Sequence, residues 1–138
     1  MGKYRTLSEN NKYYLPKHTY LTCIHYALQY RDWKASLDAN RDTRGAIRYD
    51  KDKIQNGNDF DSTSETAIRM VEIENKVNMI DDVIRIACDG SNLDKYIRLG
   101  VCYGFGVNQL INDQNMPCGK DLYYKIRQKF FYELSKKI

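Results

Sequence analysis

Apolar side chains in this chain recur mostly every three or four residues, the spacing of a helix with one buried face. In YYLPKHTYLTCIHYALQYRDWKASL, Tyr20, Leu21, Ile24, Ala27, Leu28 and Leu37 follow that spacing. They predict an amphipathic helix of about 20 residues, with Pro16 in its first turn, where a missing N–H costs nothing. The helix is rich in rings (Tyr20, Tyr26, Tyr30 and Trp33), which could anchor a core or a partner surface. Before it, residues 1–15 lack apolar periodicity and are expected to form a mobile N-terminal segment.

The periodicity then lapses. NRDTRGAIRYDKDKIQNGND is dense in charge, Asn and Gly, and predicts a flexible loop over about 40–61. Four arginines from Arg31 to Arg48 could there touch phosphate or stay solvated. Ser62-Thr63-Ser64-Glu65 fits a capping box, Ser at the cap and Glu three positions on, and predicts a helix start. Met70, Ile73, Val77, Ile80, Ile84 and Ala87 then form a narrow seam, which Asp89-Gly90 ends. Such a seam can close an antiparallel hairpin with the first helix, or mate with a second copy of itself as a homodimer.

Three shorter segments follow. Leu93, Tyr96, Ile97 and Val101 predict a helix ending near Gly104. VNQLINDQN predicts about two turns, and a long final helix starts near Gly119. The fold class expected is therefore all-α: a long helical hairpin over 16–90, then a C-terminal helix-turn-helix module over 91–138.

The C-terminal stretch GFGVNQLINDQNMPCGKDLYYKIRQKFFYELSKKI carries the functional reading. Val107, Leu110 and Ile111 give a short helix its inward face, Asn115 can close it in the left-handed conformation, and Met116 can plug the core. Cys118 stands where a Ser or Thr cap usually stands. Leu122, Ile126, Phe130 and Leu134 form a stripe at i, i+4, i+8 and i+12. With that stripe inward, Asp121, Tyr124, Lys125, Gln128 and Tyr132 point outward, flanked by Lys120, Arg127 and Phe131, with Lys129 near the core edge. Lys120, Asp121, Tyr124, Lys125 and Gln128 would lie in the turns that reach base edges, and Arg127 and Lys129 would meet phosphates. The N–H groups near Gly119 could take a phosphate too. Alternatively, exposed Tyr124, Phe131 and Tyr132 would form a protein-binding patch.

Charge adds to this picture. Residues 1–58 hold 11 Lys and Arg against 6 Asp and Glu, residues 59–118 hold 5 against 10, and residues 119–138 hold 6 against 2. A compact cationic end after an acidic middle suits a polyanion such as double-stranded DNA. No run approaches the roughly 18 apolar residues of a membrane span, and residues 1–16 lack the apolar core of a secretory signal. A soluble protein of the bacterial cytoplasm is expected. No chemistry is expected either. Asp81-Asp82 are adjacent and cannot share a helix face, and the GFG at 104–106 is too short to cradle a phosphate. Cys118 at a helix start could be more thiolate-like than most, but neither His18 nor His25 is near it in sequence. Cys23, Cys88, Cys102 and Cys118 contain no CxxC pair, so no metal, cofactor or catalytic residue is expected.

Two blocks, LPKHTYLTCIHYALQYRDW and MPCGKDLYYKIRQKFFYELSKK, resemble a group of small proteins encoded by phages and prophages of Gram-positive bacteria. Their pattern I-P-C-G-K-D-x-Y-Y-x-x-R-x-K-F-F is matched over Met116–Phe131, with Met116 in place of Ile. The C-terminal part is similar to ArpU/RinA-like phage late-gene regulators, which end in a module like region 4 of sigma factors. The resemblance implies a DNA-binding transcription regulator, with host RNA polymerase as a candidate partner. Leu93–Gly104 would be its support helix, Val107–Gln114 the first helix of the motif and Gly119–Lys136 the recognition helix. Ile111 departs from the small residue usual where the helices cross, and Pro117 stiffens the turn. The competing reading is a phage-encoded, protein-binding inhibitor of a host defence system such as a CRISPR nuclease.

Overall fold

The computed structural model describes the backbone of residues 7–50 and 57–138, and the side chains of residues 7–40 and 64–138. The fold is all-α: every regular element among the described residues is a helix. In order these are α1 (Lys17–Leu28), α2 (Tyr30–Asp50), α3 (Gly57–Cys88), α4 (Asp94–Tyr103), α5 (Val107–Asn112) and α6 (Lys120–Ser135).

The expected first helix is two. The chain enters α1 through Pro16, whose carbonyl accepts from the Tyr20 N–H at 2.9 Å. Pro16 is the N-cap, one position before the first helical residue. The helix breaks at Gln29, whose N–H reaches the Tyr26 carbonyl at 3.2 Å, one residue short of the α-helical partner. Cys23, Ile24 and Ala27 are buried, and after the break Tyr30 continues the same inward face.

The loop expected over about 40–61 is corrected on both sides. α2 runs to Asp50 and α3 begins at Gly57, so residues 51–56 of that span alone lie outside the described backbone. The capping box at Ser62 is likewise overridden, because Ser62 lies within α3. Charge and a missing apolar stripe suggest irregular structure from the sequence alone. Lys, Arg, Asp and Ala are nonetheless tolerated along a helix, and propensity is only a weak prior against the run of the backbone. Arg31 is exposed; the side chains of Arg41, Arg44 and Arg48 lie outside those described.

α2 and α3 form the long hairpin. The start of α2 meets the end of α3: Tyr30 Oη donates to Asp81 Oδ1 at 3.0 Å, and Lys76 Nζ sits 5.3 Å from the Trp33 ring centre. The α3 seam is buried from Val77 onward, while Met70 and Ile73 are half-buried. Val83 and Cys88 join Val77, Ile80, Ile84 and Ala87 in the core, so the seam broadens where α3 also packs on α6. Asp89 and Gly90, at φ 47 and φ 80, turn the chain out of α3.

Asp81 ties three helices together. Besides accepting from Tyr30 it accepts from Arg98 of α4, at 3.2 Å from Nε and 3.0 Å from Nη2. Burial first, and then the Asp81 carboxylate, push the Tyr30 hydroxyl well above its ordinary value. Substituting Asp81→Ala leaves the Tyr30 hydroxyl and the Arg98 guanidinium without this acceptor. We predict a loss of about 2 kcal/mol, since the pair is about a third exposed and so partly screened. Urea unfolding followed by circular dichroism measures it; an unchanged midpoint contradicts the account.

Residues 7–15, within the segment expected to be mobile, lie against the helices. They fold into successive turns, with Asn11 N–H bonded to Ser8 and Tyr14 N–H to Asn11. Tyr13 packs on Tyr132 at 5.5 Å between ring centres, and Leu15 packs against the core. Residues 1–6 lie outside those described.

Residues 91–138 do not stand apart as a module. α6 packs chiefly on α3 and then on α1, and its buried side chains belong to the same core as theirs. α4 ends where expected: Gly104 takes φ 76, and the Phe105 N–H returns to the Leu99 carbonyl at 3.1 Å.

Candidate nucleic-acid interface

Residues 113–119 join α5 to α6, longer than the three or four residues of a compact helix-turn-helix turn. Two expected details of the joint are present. Asn115 is left-handed at φ 55, and Met116 is 6% exposed, with its N–H bonded to the Leu110 carbonyl. α5 packs on α4, and its contact with α6 is slight.

The cap is corrected. Gly119, not Cys118, is the N-cap of α6, and no side chain caps it. Cys118 is not activated either: burial raises its pKa, and the Tyr123 N–H only partly offsets this. Burial pushes the other thiols up as well, Cys23 and Cys88 to about 11 and Cys102 to about 12. All four are free thiols. We predict that iodoacetamide at pH 8 labels half-buried Cys118 first and the other three only on unfolding, read by mass spectrometry. The linked stability is present below the ordinary thiol pKa of 9.0 and falls as pH rises from there toward the folded values. Equal labelling of all four thiols in the native protein contradicts this.

The inward face of α6 is rotated from the one expected. Leu122 is 45% exposed, while Tyr123, Ile126, Phe130, Phe131 and Leu134 are buried. An i, i+4 stripe drifts about 40° per step, so four such positions cannot all face one neighbour. α6 instead packs between α3 and α1, and Phe131 closes on Tyr20 of α1 edge-to-face at 5.5 Å. The expected patch of Tyr124, Phe131 and Tyr132 is therefore not there. Tyr124 is exposed, Phe131 is 2% exposed, and Tyr132 is half-covered beneath Tyr13.

This rotation splits the seven expected DNA-contacting residues. Lys120, Asp121 and Lys125 are exposed, and Lys129 is half-buried. Lys125 and Lys129 share one side of the helix with Asp121, and Lys120 stands at its start. Tyr124, Arg127 and Gln128 instead line a cleft between α6, α1 and the α4–α5 turn. Arg127 Nη1 donates to Tyr20 Oη at 3.0 Å, and its guanidinium lies 4.8 Å from the Phe131 ring centre. Sequence reasoning missed Tyr20 and Gly100 as parts of this cleft; only the long-range packing of α1 and α4 on α6 brings them there.

No family model, curated protein or solved structure matches the chain. Among the described residues, no group of His, Cys, Asp and Glu could hold a metal ion, and no helix is long and apolar enough to cross a membrane.

Proposed function

We propose that the protein is a phage or prophage DNA-binding transcription regulator whose last helix, α6, meets double-stranded DNA. The observation that carries this is the pair of exposed Lys125 and half-buried Lys129, one turn apart on one side of α6, with exposed Lys120 at the first residue of the helix. Lys136 and Lys137 extend the charge past the helix end. These lysines supply the sequence-independent attraction to phosphates, and Asp121, one turn before Lys125, would accept from a cytosine amino group. Arg127 plays no part in this version of the reading, because it is turned into the cleft.

The triple substitution Lys120→Ala/Lys125→Ala/Lys129→Ala tests it. These side chains lie outside the core, so the fold is expected to hold. Affinity for duplex DNA is expected to fall roughly ten-fold or more, and the salt slope to shrink by about 3. A variant that binds as well as the parent overturns the reading.

A protein-binding inhibitor of host defence is the second reading, and one observation favours it. Leu122 and Tyr124, at 45% and 43% exposed, stand on the same first turns of α6. Apolar surface beside cations suits a protein partner more than a phosphate backbone. Under that reading Leu122→Asp/Tyr124→Ser abolishes biological activity, while the triple lysine variant retains it.

A further inference from the structure

We propose that the cleft between α1, α4 and α6 binds a planar aromatic anion, a ring bearing a phosphate or a carboxylate. This goes beyond the DNA reading and does not depend on it. Arg127 lies two residues from Lys125, about 200° round the helix, so a duplex on Lys125 and Lys129 leaves the cleft free.

The cleft encloses about 810 Å³, within the range of small-molecule sites. Its walls are rich in rings: Tyr20 from α1, Phe105 from the α4–α5 turn, and Tyr123, Tyr124 and Phe131 from α6. Gly100, Gly104 and Gly106 line it as well, so backbone without side chains borders the space. Such a surface favours a flat ring that can stack or meet ring edges.

Charge then narrows the class. Arg127 is the one charged side chain among the described residues that line the cleft. No carboxylate pairs with it among the described residues; one N–H meets the Tyr20 hydroxyl at 3.0 Å, and its Cζ lies 4.8 Å from the Phe131 ring centre. A guanidinium carries five N–H donors in a flat fork. Held by a hydroxyl and a ring, with most donors unspent in a half-buried place, the fork is preorganised for a bidentate anion. An anion there compensates a charge that the fold itself leaves unpaired. Gln128, also lining the cleft, offers an amide for polar groups on the ring edge.

Isothermal titration calorimetry on the full chain tests this with two pairs of probes: adenosine monophosphate against adenosine, and indole-3-acetate against indole. At least one anion is expected to saturate, and to bind about ten-fold more tightly than its neutral partner. Which pair responds tells a phosphate ligand from a carboxylate one. Arg127→Met is expected to erase the preference for the anion. Arg127→Lys keeps the charge without the fork and is expected to lose most of it, with folding checked by circular dichroism. Should Arg127→Met not fold, Tyr124→Ala, which removes an exposed wall, is expected to weaken both members of the responding pair. The proposal is overturned if neither anion saturates at millimolar concentration. It is also overturned if anion and neutral partner bind alike, if folded Arg127→Met binds as the parent does, or if Tyr124→Ala changes nothing.

Discussion

Phe130→Ala is expected to lower the unfolding free energy by about 3–5 kcal/mol, and Leu122→Ala by about 0.5 kcal/mol or less. Both positions lie on one i, i+4 stripe of α6 and look equivalent in the sequence. In the fold Phe130 is fully buried, in contact with Phe131 at 5.2 Å between ring centres, while Leu122 is 45% exposed. Removing Phe130 opens a cavity where α6 joins the common core; removing Leu122 exposes little that was covered. Urea denaturation of the two variants therefore reads the rotation of α6 directly. Equal losses at both positions would mean that the helix faces inward along its first stripe, and the α6 lysines would then turn with it.

Gly100→Val is expected to destabilise by about 3 kcal/mol. Gly100 lies inside α4, where exchanging glycine for a residue with a side chain normally favours the helix. Here space decides the sign. A Cβ at this position would stand 1.9 Å from Tyr123 Oη and 3.0 Å from its Cζ. Tyr123 is itself 3% exposed, so its ring has nowhere to retreat without opening the core. The double variant Gly100→Val/Tyr123→Phe removes the closest atom and is expected to exceed additivity by about 1 kcal/mol. Strict additivity would mean that the close approach of α4 to α6 is not what limits residue 100.

The sequence was most informative where a local signal and burial agree. Asp89-Gly90, Gly104 and Asn115 mark chain reversals because their backbones take positive φ, and such residues advertise that locally. The seam from Val77 to Ala87 was legible because one helix face meets a continuous core. Residues 40–50 and 57–61 were not legible as helix. The sequence there is dense in charge, Asn and Gly, with only short apolar islands, so periodicity has nothing to report. Lys120 and Lys125 could be read as solvent-facing from their chemistry alone. Arg127 could not, because its direction is decided by Tyr20, 107 positions away. Phe131, similarly, reads as exposed from the sequence, because only the fold brings α1 over that side of the helix. Tertiary packing against two neighbours, rather than one, accounts for both.

Contact between the α6 lysines and duplex DNA is the proposed function. Its most direct test is titration of the purified protein against duplex from its own gene's neighbourhood, across a range of salt, with scrambled duplex as competitor. The expected result is preference for one duplex and a log–log salt slope of about −3 to −5, as three to five lysines displace counterions. A flat slope, with all duplexes bound equally weakly, would contradict it and leave these lysines a solvated helix face.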